Sequence, residues 1–187
     1  HKRGLVGGGG KRMEAVVDGV LACSRVGRSK ERAQSVDLNP LLQSVVDLVA
    51  PPPHIEVFVE GRLPVVIGEP TQLRQLFQNL VDNAIKFMDK AKGEVSVACQ
   101  DAGAHWQFEV RDNGPGIEER HHERVFRLFQ TLAAQTDPDS TGVGLALVKR
   151  IVEKGGGRIW IESTVGEGTT FTFTWPKVGK EGEHEDE

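Results

Sequence analysis

The sequence has few cysteines, no long apolar stretch and no excess of positive charge, and each absence excludes a class of protein. Cys23 and Cys99 are its two cysteines. They are too few for a disulfide framework, and we expect reduced thiols in a cytoplasmic chain. No stretch approaches the roughly 18 consecutive apolar residues that a membrane span needs, so no membrane contact is expected. The opening HKRGLVGGGG is basic and glycine-rich but lacks the apolar core of a signal peptide.

Charge is distributed unevenly along the 187 residues. Residues 1–40 carry eight Lys/Arg and four Asp/Glu, residues 41–176 carry thirteen against eighteen, and residues 177–187 carry two against five. The main part of the chain is therefore acidic, whereas contacts to nucleic acid phosphates need a basic face. We expect no nucleic acid partner, and we expect residues 177–187 to form a disordered acidic tail.

Hydrophobic periodicity predicts one helix followed by an α+β body. Apolar residues recur at three- and four-residue spacing over 11–28, and this stripe must pack on the body or against another helix. The glycines at 7–10 propagate a helix poorly. Further helices are predicted at 38–50, 71–87, 119–129 and 143–154, and strands at 55–59, 65–67, 94–99, 106–111, 158–162 and 169–175. Their order favours a mixed sheet with helices on one face.

The helix predicted at 71–87 carries polar residues on one face. Asn79, Asn83 and Lys86 lie at i, i+4 and i+7, and they are expensive to bury without a partner. Amide oxygens suit a magnesium ion and an ammonium group suits phosphate, so a magnesium–phosphate site is one interpretation. A polar outer face of the helix is the other.

Three glycine-containing segments are placed where a ligand can approach the backbone. DNGPG follows a predicted strand, and Asp112 at its start can accept the amino hydrogens of adenine, whereas guanine presents a carbonyl there. STGVGLA opens a helix whose first N–H groups can face phosphates, although no GKS or GKT of a Walker loop follows. GEGTTF opens the last predicted strand. Each segment alone is also consistent with an ordinary turn.

Taken together and in this order, the motifs resemble the ATP-binding domain of sensor histidine kinases, in the superfamily that includes gyrase-type and chaperone ATPases. NLVDNAIKF is similar to the family's N box, DNGPG to its first glycine box, ERVFRLF to its phenylalanine box and TGVGLALVKRIVEKGGGRIWIES to its second glycine box. HHERVFRLFQTL most resembles phytochrome-type kinases. KRMEAVVDGVLACSRVG resembles the second helix of the family's dimerisation and histidine-phosphotransfer hairpin.

The resemblance implies an α+β fold, a two-layer α/β sandwich of the Bergerat type, preceded by one helix of a dimerisation hairpin. It implies three parts: a partial hairpin helix and linker at 1–36, an ATP-binding catalytic domain at 37–176 and the acidic tail at 177–187. It also implies ATP and Mg²⁺ as cofactors, with a mobile lid at 131–141.

Roles for individual residues follow from the resemblance. Asn83 is the expected magnesium ligand with Asn79 close by, Asn79 and Lys86 are the expected catalytic residues, and Lys86 contacts phosphate. Asp112 is expected to bind adenine. The full set expected to bind nucleotide is Asn79, Asn83, Lys86, Asp112, Gly114, Gly116, Ile117, Phe129, Thr141, Gly142, Val143, Gly144, Leu145 and Thr170.

One position separates kinases from hydrolases in this superfamily. The ATP hydrolases carry a glutamate, which activates water, four residues before the magnesium-binding asparagine. Here that position is Asn79, and an amide is a poor base. Transfer to a neutral imidazole needs little base assistance, because positioning and electrostatics supply most of the catalysis. The residue therefore favours a kinase.

The sequence departs from the family in two places. None of its six histidines has the context of the family's phosphoacceptor. We therefore expect a chain that begins inside the second hairpin helix and does not phosphorylate itself, with the hairpin supplied in cis or by a dimer partner. A response regulator receiver domain and homodimerisation of the full-length protein are the other expected partnerships. Thr131 stands where an arginine usually meets the γ-phosphate, and no Lys or Arg occurs between Arg127 and Lys149.

The leading hypothesis is thus the catalytic domain of a two-component sensor histidine kinase. The alternative is a catalytically weak nucleotide-sensing module of the same fold, which Thr131 favours. A serine kinase of the anti-sigma type is a third hypothesis, disfavoured by the helix predicted at 11–28.

Overall fold

A computed structural model describes residues 7–26, 31–127 and 142–178 of the chain. Within them, four α-helices and seven strands follow in the order α1 (Gly7–Val26), β1 (Gln34–Asp37), α2 (Leu38–Val49), β2 (Ile55–Glu60), β3 (Val65–Gly68), α3 (Pro70–Lys86), β4 (Gly93–Ala102), β5 (His105–Asp112), α4 (Gly144–Lys154), β6 (Ile159–Thr164) and β7 (Gly168–Pro176). No helix among the described residues combines the length and hydropathy needed to cross a membrane.

The body is a mixed five-stranded sheet covered by helices on one face. The strand order is β2-β4-β5-β7-β6. β2 pairs with β4 in parallel, and the remaining neighbours pair antiparallel. Helix α3 packs against α2, α4 and the central strands, while β1 and β3 form a separate two-stranded ribbon. The predicted α+β sandwich is confirmed.

Three phenylalanines form the centre of the interface between helices and sheet. Phe77 of α3 meets Phe108 of β5 and Phe173 of β7 edge-on, with ring centroids 5.9 and 5.8 Å away. Phe108 and Phe173 stack at 4.9 Å. Because α3 and β5 are anchored by the same cluster, the polar face of α3 is held at a defined position relative to the end of β5.

Local sequence signals set the beginnings of two helices. The Asp37 side chain accepts the Asn39 N–H at 3.0 Å and caps α2. Pro70 begins α3, where its missing N–H costs nothing. The apolar side of α3 is fully inward, since Leu76, Phe77 and Leu80 have no exposed surface.

Other local predictions are wrong. Helix α1 begins at Gly7, because the cost of roughly 1 kcal/mol per glycine is a weak preference that a continuous helix absorbs. The helix predicted at 119–129 is a single 3₁₀ turn at Glu119–His121 followed by turns as far as Arg127. Strand β1 was not predicted, because QSVD has no strand pattern of its own and pairs with β3 more than twenty residues away.

Helix α1 packs on the body through a face other than its predicted apolar stripe. A methyl group at Gly19 would lie 2.6 Å from a Val143 methyl, and Cys23 and Val26 are buried. In contrast, Met13 and Val17 of the stripe are 72% and 52% exposed. The glycine thus provides the close approach of α1 to the start of α4, and pairing of the stripe with another helix stays a prediction.

The linker after α1 also contacts the body. The Glu31 carboxylate accepts the backbone N–H of Thr71 at 3.1 Å and its hydroxyl at 3.2 Å. An acidic group at this position satisfies a free N–H in the first turn of α3 and interacts favourably with the helix dipole.

Candidate nucleotide-binding site

Asp112 lies at the end of β5 and is a buried acceptor. Its side chain is 8% exposed, and Oδ1 accepts the Gly114 N–H at 2.9 Å. The backbone N–H of Thr169 also donates to this carboxylate. Burial raises the pKa of Asp112 above its usual range, the two backbone N–H groups oppose this, and Asp89 adds to the rise. The carboxylate still has acceptor capacity for a further donor.

The hairpin between β6 and β7 holds the loop that follows Asp112. The Gly166 N–H donates to the Pro115 carbonyl at 2.7 Å, and the Ile117 N–H donates to the Ser163 hydroxyl at 2.8 Å. Gly116 has a φ of +72°, and a methyl group there would lie 2.1 Å from the Thr164 carbonyl oxygen. A glycine is therefore required for both the backbone conformation and the contact with β6.

Further contacts of His122 and Asn113 hold the loop that follows Asp112. His122 Nε2 lies 2.9 Å from the Ile117 carbonyl oxygen. Asn113 bridges to the start of β4, since its Oδ1 accepts the Glu94 N–H at 2.8 Å and its Nδ2 donates to the Lys92 carbonyl at 3.1 Å. Hydrogen bonds to neighbouring segments thus fix the conformation of the loop that follows Asp112.

The amides of α3 meet the beginning of α4. Asn79 and Asn83 are half-buried, whereas Lys86 is exposed. Asn79 Nδ2 donates to the Gln75 carbonyl at 2.7 Å, so Oδ1 is on the side of the amide group that faces away from this carbonyl. A methyl group at Gly144 would lie 2.8 Å from that oxygen. Oxygen atoms of α3 and the first N–H groups of α4 therefore adjoin.

The start of α4 has the features of an anion site. Gly142 has a φ of +67° and turns the chain into the helix. Val143 at the N-cap is 2% exposed and makes no side-chain capping bond, so the N–H groups of the first turn depend on other acceptors. Gly144 and Leu145, both half-buried, follow in that turn. Phosphate oxygens would satisfy these N–H groups and interact with the helix dipole.

The C-terminal end of α3 joins the two halves of this region. A methyl group at Gly114 would lie 2.9 Å from Asp112 Oδ1 and 3.8 Å from the Phe87 carbonyl oxygen. Asp89, just beyond α3, acts electrostatically on Asp112. The loop after β5 and the C-terminal end of α3 are thus neighbours.

Thr170 requires a correction, because the strand register puts it on the opposite face of the sheet. Thr170 pairs with Arg111, whereas Thr169 pairs with Asp112. Alternation along β7 therefore directs Thr169 with Asp112 toward the helices. Arg111 lines a groove of about 280 Å³ together with Phe58 and Ser96, and Asp112 and Asn113 at the end of β5 also border this groove. Two other predicted residues, Phe129 and Thr141, lie outside the described residues, as does the lid with Thr131.

Thr169, Ser163 and His122 were not predicted as site residues. A sequence signal existed for Thr169, since Phe171, Phe173 and Trp175 alternate with threonines along β7, and extending the apolar phase back by two residues reaches Thr169. No local pattern pointed to Ser163 or His122. The Ser163 contact depends on the crossing of β6 and the loop after β5, and the His122 contact depends on the fold of the five residues that follow Ile117.

Comparison with known proteins assigns this region to a family. The family model described as "Histidine kinase-, DNA gyrase B-, and HSP90-like ATPase" matches residues 68–179. The chain belongs to this ATPase family. The match includes both amides of α3, the loop after β5 and the beginning of α4.

The relatives of this ATPase domain are sensor histidine kinases and phytochromes. Cyanobacterial phytochrome B of Nostoc sp. is 40% identical over 90% of this chain and 23% of its own length. The methanogenesis regulatory histidine kinase FilI of Methanothrix harundinacea is 36% identical over 88% of the chain and 19% of its own length. The chain therefore spans about a quarter or less of these relatives.

Solved structures of histidine kinases are also similar to this chain. Full-length ShkA in complex with AMPPNP is similar with a TM-score of 0.73 and 28% identity, covering 92% of this chain and 37% of that chain. The catalytic domain of histidine kinase ThkA gives a TM-score of 0.64 and 28% identity, covering 78% of this chain and 96% of that domain. The body is thus an ATP-binding domain of the sensor histidine kinase type.

Proposed function

We propose that this domain transfers the γ-phosphoryl group of ATP to a histidine on a phosphotransfer hairpin, supplied in cis by a longer protein or by a dimer partner. The observation that best supports transfer over hydrolysis is Asn79. Its half-buried amide adjoins the start of α4, at the position where the hydrolases of the superfamily carry a glutamate base. A water molecule beside an amide finds no base, whereas a neutral imidazole attacks with its own lone pair.

In the proposed complex the base of ATP lies against Asp112, which accepts its amino hydrogens. The loop residues Gly114, Gly116 and Ile117 support the base. The N–H groups at Gly142, Val143, Gly144 and Leu145 bind phosphate oxygens, and Lys86 contacts phosphate from α3. Thr169 replaces Thr170 beside Asp112. Phe129 and Thr141 remain proposed members of the site.

Reaction then depends on positioning. The imidazole nitrogen forms the new N–P bond, the bond between the γ-phosphorus and the bridging oxygen breaks, ADP leaves, and the other imidazole nitrogen loses its proton to solvent. Charge on the phosphoryl oxygens is stabilised by Lys86 and by the first N–H groups of α4.

The residues of α3 fit a magnesium ion. Among the described residues no cluster of three or more His, Cys, Asp or Glu side chains is arranged for a metal. Magnesium commonly takes one or two protein oxygens together with phosphates and waters. We infer that Asn83 and Asn79 Oδ1 supply those oxygens, since Asn79 commits its nitrogen to the Gln75 carbonyl. When bound, the ion would neutralise charge on the phosphates.

Asn83→Ala tests this assignment. We expect magnesium to increase the ATP affinity of the wild type. In the variant this increase should be about tenfold smaller, which is the worth of one oxygen ligand to a charged group. Binding measured in EDTA should be unchanged. Calorimetry with and without magnesium gives both values. Asp82→Ala, an exposed neighbour on α3, serves as the control, and an equal loss in EDTA would show that Asn83 is not a magnesium ligand.

Phosphotransfer in trans tests the proposed reaction. The chain, γ-labelled ATP and a separately purified hairpin protein with an intact acceptor histidine are incubated with magnesium. We expect acid-labile label on the hairpin protein, none on this chain, and slow release of free phosphate. Asp112→Asn provides the inactive control. Acid-stable label would indicate a hydroxyl acceptor and would exclude a histidine kinase.

A second candidate, a nucleotide-sensing module, is supported by Thr131 in place of the usual arginine. It predicts tight ATP binding without label in the same assay. Thr131→Arg should then increase single-turnover transfer, because an arginine at the transferring phosphoryl group stabilises its developing charge.

We infer a hairpin helix and linker at 1–36, the catalytic domain at 37–176 and an acidic tail at 177–187. In the longer protein we expect a homodimer in the cytoplasm that passes the phosphoryl group to a response regulator receiver domain.

A further inference from the structure

The Ser163 hydroxyl lies at the centre of a hydrogen-bond junction beneath the proposed adenine site. Its Oγ is 2.8 Å from the Ile117 nitrogen, 2.8 Å from the Gly168 carbonyl oxygen and 2.9 Å from Thr169 Oγ1. Ser163 of β6 and Asp112 of β5 both pair with Thr169 of β7 in the strand register, so the three residues lie side by side across the sheet. Their side chains therefore share one face of the sheet.

The chemistry of these partners fixes the direction of each hydrogen bond. A backbone N–H only donates, so Ser163 Oγ accepts from Ile117. A carbonyl oxygen only accepts, so the single proton of the Ser163 hydroxyl goes to Gly168. Ser163 has no second proton for Thr169. The contact between the two hydroxyls therefore requires Thr169 to donate and Ser163 to accept.

Thr169 consequently presents lone pairs and no proton to its other surroundings. It is 6% exposed, and its neighbour Asp112 is 8% exposed. A carboxylate with two backbone N–H groups donating to it also presents only acceptors. The edge formed by Asp112 and Thr169 thus offers no hydrogen-bond donor from either side chain, although a threonine hydroxyl is ordinarily free to rotate and donate.

We propose that Ser163 is a specificity-determining positioning residue, which excludes 6-oxopurines by holding the Thr169 hydroxyl as an acceptor. This rests on the proposed function, in which the purine lies against Asp112. A 6-amino group finds acceptors there, whereas a 6-oxo oxygen faces acceptors alone and stays unpaired. Without Ser163, the Thr169 hydroxyl is free to rotate and donate to a 6-oxo group.

ATP and ITP test the proposal, because they share the same triphosphate and differ at position 6 of the purine and at N1, which carries a proton only in ITP. Dissociation constants for both are measured by calorimetry on the wild type, Ser163→Ala and Ser163→Ala/Thr169→Val. We expect the wild type to prefer ATP. Ser163→Ala should lower the ratio of the ITP constant to the ATP constant about fivefold, the worth of one new hydrogen bond. The double variant has no hydroxyl that could donate to a 6-oxo group, so its ratio should rise above that of Ser163→Ala.

Ser163→Cys and Ser96→Ala complete the experiment. Cysteine is nearly isosteric, but its sulfur is a weak acceptor for the Thr169 hydroxyl, so it should shift the ratio in the same direction and keep the variant folded if alanine does not. Ser96 is a buried serine of the same sheet that pairs with Arg111 and not with Asp112, and its replacement should leave the ratio unchanged. Equal weakening of ATP and ITP in Ser163→Ala would overturn the inference, since it would show only a support for the loop. Failure of the wild type to bind ATP at all would instead remove the proposed function.

Discussion

Replacing Asp112 by asparagine should lower ATP affinity by about 100-fold, because a charge-assisted hydrogen bond becomes a repulsive contact. Both backbone N–H groups beside Asp112, those of Gly114 and Thr169, donate to its carboxylate. An asparagine would use its one oxygen for these donors and turn its NH₂ group toward the amino group of adenine. Calorimetry on the magnesium-free protein measures the loss without involving α3. A change of less than about threefold would be inconsistent with the proposed role of Asp112.

The same variant should be more resistant to heat than the wild type when no nucleotide is bound. Burial raises the pKa of Asp112 in the folded state, so that state binds a proton more readily than the unfolded chain. Stability of the wild type therefore falls as pH rises from about 4, the usual pKa of aspartate, through the raised value. Asp112→Asn removes this cost, and its gain in Tm should be largest near pH 7 and shrink toward pH 4.

Asp101→Asn is the matched control. Its pKa is lowered by the hydrogen bond from Lys177, whose Nζ lies 2.6 Å from the carboxylate, and by the Gly103 N–H. Asp101 is exposed, so the effect on Tm should be small and in the opposite direction, with ATP affinity unchanged. A Tm for Asp112→Asn below that of the wild type at neutral pH would contradict the account of a buried, costly carboxylate.

Gly168→Ala should lower the free energy of unfolding by about 2–5 kcal/mol and abolish ATP binding at moderate concentrations. Gly168 has a φ of +119°, and an added methyl group would lie 2.0 Å from the Asp112 carbonyl oxygen and 2.9 Å from Asn113 Cα. Both are backbone atoms, which cannot rotate away as a side chain can. The methyl group is accommodated only if β5 and β7 separate at the position where Asp112 and Thr169 meet.

Gly166→Ala separates this clash from backbone strain. Gly166 lies in the same hairpin with a φ of +85°, but nothing is within 4 Å of an added methyl group. Its cost should be limited to the left-handed conformation, about 1–2 kcal/mol, with ATP affinity retained. Urea unfolding and calorimetry on both variants make the comparison. Equal losses in the two variants would show that conformation, and not the contact with Asp112, makes Gly168 necessary.

The motifs of the site were predictable because each lies within one local element. Asn79 and Asn83 are four residues apart, and residues with this spacing share one face in any helix. The segment DNGPG after a strand predicts a turn near Asp112. The contacts around the motifs were not predictable. Thr169 shares the phase of Phe171, Phe173 and Trp175, but only the pairing of β7 with β5 places that phase beside Asp112.

For the body of this protein, the sequence alone determined the fold class and the motifs that carry the chemistry, since hydrophobic periodicity and glycine spacing are local properties. Tertiary structure decided which atoms meet. It brought β1 to β3, packed α1 through Gly19 rather than through its apolar stripe, and joined Ser163, Thr169 and Ile117 in one hydrogen-bond junction. These contacts link residues distant in sequence, so their geometry exists only once the sheet register and the helix packing are set.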